Sequence, residues 1–197
     1  MTADFVAATS ARANSAANTV SVPWASTTAG DVCLLALTLG GLSAITDPTG
    51  WTAVDNLDES TTLRTKLWWH RCDGSESGSL AVNWTGTAQL AAAGMAAWRG
   101  IYSGANPIDA HSVTGAVSTA TSRVNIVTGA NADTSLQVCV YCDVQVTAAQ
   151  SWTPPAGCQE RLDTSTTATP FLGLEIVDTA ALLSASTGLP AKTATSA

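Results

Sequence analysis

An all-β fold, a two-sheet antiparallel sandwich, is what this sequence predicts, and three observations carry the prediction. Short alternating apolar runs are separated by Gly/Pro turn signals about every eight to twelve residues, and no long helical period interrupts them. One strand–turn–strand–strand unit occurs twice. It runs first through GDVCLLALTL, DPTGW and TKLWWH, and again through DTSLQVCVYCDV, TPPAGC and TPFLGLEIVD. Pro48, Gly50 and Leu67 thereby find counterparts at Pro155, Gly157 and Leu174. About ten short strands built from a repeated half favour a jelly-roll version of the sandwich, with two interlocked Greek keys.

Taken in order, residues 1–18 are small and polar with only Phe5 and Val6 as anchors, so an arm or a short edge strand is expected. Thr19–Val22 alternates and is stopped by Pro23. Val32–Leu39 is apolar on both faces, which suits a strand covered on two sides. Asp47-Pro48-Thr49-Gly50 is turn chemistry, and Trp51–Val54 is a short strand leaving it. Asp55–Glu59 reads as an acidic hairpin tip; it lacks the glycine and the distal acid of a calcium loop.

The clearest strand is Thr61–His70. Leu63, Thr65, Leu67 and Trp69 form its core face, leaving Arg64, Lys66, Trp68 and His70 on the other. That second face is the candidate interaction surface, because an exposed indole beside cations buries flat area at low entropic cost. The plainer reading puts Trp68 beneath a second sheet or a loop. After the turn at residues 73–79, Leu80, Val82 and Trp84 alternate inward, and the GSESG run has Glu76 where a nucleophile elbow needs serine. Leu90–Trp98 is alanine-rich but bounded by strands, so a buried strand is predicted. A corner at residues 106–109 leads to short strands near 113–117 and 123–127, then to the second copy and a last edge strand near 182–186. The sandwich domain is set at residues 19–184, and the polar tail at 185–197.

The chain has 197 residues, enough for one domain to bury roughly 70% of its unfolded surface without staples. Its net charge of −7 and only two lysines, Lys66 and Lys192, argue against nucleic acid as a partner. No apolar run is long enough to span a bilayer and no secretion leader is legible, so no membrane partner is expected and the chain reads as a soluble intracellular product. The five cysteines include one C-x-x-C, Cys139 and Cys142. On a strand of alternating side chains these two point to opposite faces, so buried thiols are expected rather than a metal or redox pair. No motif asks for a cofactor. His70 and His111 lack evident companions as metal ligands, Asp109-Ala110-His111 is not spaced as a triad, and Asp143 with Glu175 is the one carboxylate pair a glycan-degrading enzyme would use.

The set Gly30-Asp31-Val32, Pro48-Thr49-Gly50-Trp51, Leu67-Trp68-Trp69, Ala96-Ala97-Trp98-Arg99-Gly100 and Asn106-Pro107-Ile108-Asp109 resembles a widespread group of phage virion proteins and phage-derived modules, over residues 20–180. The resemblance implies a jelly-roll-like sandwich located on a virion, with no catalytic residue. It further implies that Trp51 and Trp98 pack the core and that Arg99 satisfies backbone carbonyls at its corner. Cys158 stands in the second copy where Trp51 stands in the first, which is a departure between the halves. The function expected is a non-enzymatic head decoration or cement protein that binds the major capsid protein or other virion proteins, homo-oligomerises around a symmetry axis, and docks through its terminal arms. The alternative is a tail-associated receptor- or carbohydrate-binding module that reads a host-surface glycan with Trp68. A glycan-degrading enzyme is the remote third.

Overall fold

The alternating runs become strands in the computed structural model, which describes residues 3–59, 61–116, 119–128, 134–149, 151–179, 183–184 and 195–196. The first half holds β1 (Asp4–Ala17), β2 (Thr19–Pro23), β3 (Val32–Leu39), β4 (Ala44–Thr46), β5 (Thr52–Glu59), β6 (Leu63–Arg71), β7 (Ser79–Thr85) and β8 (Gln89–Arg99). The second holds β9 (Ile108–Ala116), β10 (Thr119–Thr128), β11 (Thr134–Gln145), β12 (Trp152–Thr153), β13 (Cys158–Ser165), β14 (Phe171–Thr179), β15 (Leu183–Ser184) and β16 (Thr195–Ser196). The alanine-rich Leu90–Trp98 segment lies within β8, where small side chains suit a strand buried on both faces. No described helix is long and apolar enough to cross a membrane.

Two antiparallel sheets face each other. The central one has the order β1-β8-β3-β6-β5, and the facing one β13-β14-β11-β10-β9, with β15 pairing β11. The repeated unit is visible in these orders: β3-β6-β5 in one sheet corresponds to β11-β14-β13 in the other. Its turns correspond too. The Trp51 N–H donates to the Pro48 carbonyl at 3.1 Å and the Cys158 N–H to the Pro155 carbonyl at 3.0 Å. Gly50 and Gly157 hold φ of 82° and 79°, values that the third position of such a turn requires and that a side chain resists.

The sandwich expectation holds, with one addition. A third sheet, β2-β7-β4, covers the other face of the central sheet. Period-two alternation therefore divides β3 between two cores. Val32, Leu34 and Ala36 meet Leu136, Val138, Leu174 and Ile176 of the facing sheet. Cys33, Leu35, Leu37 and Leu39 meet Val20, Val22, Val82 and Trp84 of the small one. The jelly-roll form does not follow from this order: β9-β10-β11 is a meander, and β5-β6 and β13-β14 are hairpins within single sheets.

Of the arm or short edge strand expected at residues 1–18, residues 4–17 form an edge strand, fourteen residues long and laid along β8 from Asp4↔Arg99 to Ala17↔Gln89 at the rim of the central sheet. The acidic segment is also strand. Asp58 pairs across to Arg64 and Asp55 is met by His111, so both aspartates have partners, and β5 runs on to Glu59. The polar tail at 185–197 lies outside the described residues except for β16, which pairs with β12.

Candidate functional site

The cations on the second face of β6 already have partners. Arg64 makes a two-pronged contact with Asp58, Nε–Oδ1 2.5 Å and Nη2–Oδ2 2.6 Å, and Nη1 reaches the Ser43 carbonyl at 2.9 Å. Lys66 Nζ lies 2.5 Å from Asp47 Oδ1 and 5.6 Å from the centre of the Trp68 ring. The Lys66 ammonium, and then the Trp68 N–H, hold the Asp47 carboxyl below its ordinary range, and Arg64 does the same for Asp58.

Trp68 itself is fully buried, 0% exposed, in the core beneath the small sheet, and its Nε1–H donates to Asp47 Oδ1 at 2.7 Å. The plainer reading of that indole is the one the structure gives. As an exposed sugar platform Trp68 is corrected, because the third sheet covers the face that strand periodicity alone left open. The four residues Arg64, Lys66, Trp68 and His70 do share a side of β6, but they do not form one open surface.

Arg99 needs a correction as well. It meets a carboxylate rather than carbonyls: Nε–Oδ1 and Nη2–Oδ2 contacts of 2.8 Å to Asp31, and Nη2 to Thr28 Oγ1 at 2.9 Å. Burial alone would raise the Asp31 pKa, but Arg99 and the Thr28 N–H outweigh it and hold the carboxyl low. Trp51 and Trp98 are both buried, on opposite sides of the central sheet. Trp69, expected in the core, is only partly buried. It sits at the end of the sandwich and lines a groove of about 520 Å³ between β5 and β9, together with Thr52, Asn106, Asp109 and His111. His111 Nδ1 lies 2.7 Å from the buried Asp55 Oδ1, so its partner comes from β5 and not from Asp109.

His70 has companions after all. Its ring packs beside Trp51 and Trp24, with centroids 5.1 and 5.6 Å away. Nδ1 lies 2.9 Å from the Gly50 carbonyl, and Nε2 lies 3.0 Å from Glu76 Oε1. Glu76 is held by its own turn, accepting the N–H of Asp73 at 2.8 Å and of Gly74 at 2.9 Å. Ligand atoms of His70, Cys72 and Glu76 all lie within 4.8 Å of one another. Cys33 Sγ stands 3.5 Å from Cys72 Sγ. The contact with the Cys33 thiol lowers the Cys72 pKa, while the same contact and burial drive the Cys33 pKa up. Sequence reasoning missed this cluster. Its signal was present as His70-x-Cys72 at the end of a strand, where alternate residues share a face, followed by a turn that brings Glu76 back.

The remaining candidates lie on the facing sheet. Cys139 and Cys142 point to opposite faces, Cys142 into the core between the sheets and Cys139 beside Tyr141 and Val177. Asp143 and Glu175 come from adjacent strands, since Asp143 pairs with Gly173 and Tyr141 with Glu175. Both carboxyls are buried, 1% and 0% exposed. Burial drives the Asp143 pKa up to about 6 and, with the Glu160 and Asp163 carboxylates adding to it, the Glu175 pKa up to about 8.

Comparison of the chain with protein families, curated proteins and solved structures finds no match.

Proposed function

We propose that this chain is a non-enzymatic structural protein of a phage virion, a head decoration protein that docks on the capsid lattice through its own sheet edges. The observation that carries the reading is β1. Fourteen residues long, it pairs with β8 on one side and stands last in its sheet, and its run DFVAATSARANSAA contains neither lysine nor proline. Edge strands that must avoid partners usually carry such residues or bulges; β1 is irregular only towards its ends, between Phe5 and Ala7 and after Ala13, and its unbroken stretch from Ala7 to Ala13 is what offers itself for strand addition. The enzymatic alternative is weakened by the burial of Asp143 and Glu175, which a glycan would have to reach. The test is co-sedimentation of the purified protein with undecorated expanded heads of its phage, with host cells as a parallel arm. Saturable binding to heads at lattice stoichiometry is expected, and binding to neither heads nor cells sinks the virion reading.

The groove at Trp69 favours a second reading, a tail-associated module that binds a host-surface glycan. Its volume is in the range of small-ligand sites, and a half-buried indole beside Asn106, Asp109 and His111 offers one stacking surface among polar groups. Binding to cells and not to heads, lost in Trp69→Ala with the fold intact, would move the protein to the tail.

A further inference from the structure

We propose that Cys72, His70 and Glu76, with Cys33 beside them, form a binding site for one zinc-class divalent cation at the end of the core between the central and small sheets. The argument begins with hydrogen-bond valence. The Gly50 carbonyl can only accept, so the contact at 2.9 Å places a proton on His70 Nδ1. In a neutral ring Nε2 is then a bare lone pair, and it faces a carboxylate oxygen of Glu76 at 3.0 Å. Two acceptors at that separation need a positive centre shared between them. A second proton on the ring would serve, and so would a metal ion.

The surroundings favour the metal ion. A proton accounts for His70 and Glu76 but gives no part to the thiol of Cys72, whose sulfur belongs to the same 4.8 Å group and otherwise meets the Cys33 thiol at 3.5 Å. Thiolate, imidazole and carboxylate together are a zinc-type donor set. Tetrahedral zinc with bonds of about 2.0–2.3 Å has ligand-to-ligand edges of about 3.3–3.8 Å. The 3.0 Å between His70 Nε2 and Glu76 Oε1 approaches those edges, and the Cys72 sulfur, in a group that spans up to 4.8 Å, has to close by up to about 1 Å. The ligands are also held in place: the His70 ring by two indoles and a backbone carbonyl, as metal-bound histidines usually are, and Glu76 by two backbone N–H groups. An ion there would tie β3 and the end of β6 to the turn that crosses into β7, pinning the small sheet onto the central one.

The test uses the full chain, reduced, with its thiols counted first, and Co(II) as the probe. The expected result is one Co(II) per chain with thiolate-to-cobalt charge-transfer absorption, displacement by Zn(II), and a melting temperature that rises with Zn(II) and falls back with chelator. Cys72→Ser should abolish the charge-transfer absorption. Glu76→Gln, in the turn, should weaken binding by at least roughly tenfold, the least that losing even an outer partner costs at such sites; it decides the matter if Cys72→Ser does not fold. A reduced chain with no thiolate–cobalt absorption overturns the proposal and leaves His70 and Glu76 as an ion pair. Absorption that survives Cys72→Ser, or binding undiminished in Glu76→Gln, overturns it equally.

Discussion

The indole Nε1–H of Trp98, on the central sheet, donates to Asp178 Oδ2 on the facing sheet at 2.7 Å, so one hydrogen bond joins the two sheets through their shared core. The same oxygen accepts Arg161 Nε at 2.8 Å, and the Arg161 guanidinium lies 4.5 Å from the centre of the Phe5 ring. Phe5 in turn meets Trp98 edge to face at 6.2 Å. Four strands, β1, β8, β14 and β13, are thereby joined around one carboxylate that is 1% exposed.

Removing that carboxylate should cost far more than an ordinary surface pair. Asp178→Ala strands the Trp98 N–H in the core and leaves Arg161 without its counter-charge, for an expected loss of about 3–5 kcal/mol. Asp178→Asn keeps an acceptor for the indole and gives up only the charge, for about 1–3 kcal/mol. Urea unfolding at constant slope measures both. A loss below about 1 kcal/mol for Asp178→Ala would show that the network does not hold the sheets together.

Trp68→Ala should act as a core deletion. With the ring fully buried and its N–H bonded to Asp47, truncation is expected to cost about 3–5 kcal/mol, seen as a lowered unfolding midpoint. A variant that melts like the parent yet loses binding to cells or heads would return Trp68 to the surface.

Trp68 also marks what could be read in advance. Alternation assigned each β6 residue to a side correctly, and it assigned β3 to a doubly covered position, because period two is a local property of the backbone. Whether a side is covered depends on where residues 19–23 and 79–85 pack, a long-range fact with no local signal. Trp69 fails for the same reason in reverse: it points toward the main core but lies at the sandwich end, where β5 and β9 leave a groove. The paired P-x-G turns were legible because glycine at positive φ is a local demand. The His70, Cys72 and Glu76 cluster required the turn at 73–78 to fold back, and its acceptor of two backbone N–H groups, Glu76, reads in sequence only as a failed elbow.

Glu175 gives the fold a pH dependence of definite sign. Its carboxyl, ordinarily near 4.5, is raised to about 8 by burial first and by the neighbouring Glu160 and Asp163 carboxylates next, and both its oxygens lack partners. Asp143 on β11 is shifted the same way, to about 6. Above the ordinary value the unfolded chain ionises while the folded chain keeps its proton. Stability is therefore full at the acid end and declines as pH rises, by up to about 1.4 kcal/mol per unit for each such group. Unfolding followed from about pH 5 to about pH 7, below the range where Cys72 ionises fully, should show Glu175→Gln losing less stability than the parent across the window. Equal slopes would mean that Glu175 is already ionised in the fold.

Gly94 sets how closely the two large sheets approach. It lies mid-strand on β8 with ordinary strand dihedrals, so its freedom from a side chain, and not an unusual φ, is what matters there. A Cβ at this position would collide with Leu162 Cδ2, come within 2.9 Å of Leu174 Cδ2 and meet Ile176 Cδ1 at 3.5 Å. Two of these three side chains belong to the fully buried core of the facing sheet, where neighbours have little room to retreat. Leu162 is only partly buried and is the one able to give way. Alanine ordinarily suits a strand better than glycine by roughly 0.5–1 kcal/mol, so the intrinsic preference and the packing term oppose each other. Overpacking of this kind costs about 1–3 kcal/mol and should win, making Gly94→Ala destabilising. Trimming the obstacle should then recover part of the loss: Leu162→Ala is destabilising alone, yet in the double variant the two losses should fall short of their sum by about 1 kcal/mol. Additive losses, or a Gly94→Ala protein as stable as the parent, would mean that the sheets stand further apart and that the glycine is not what brings them together.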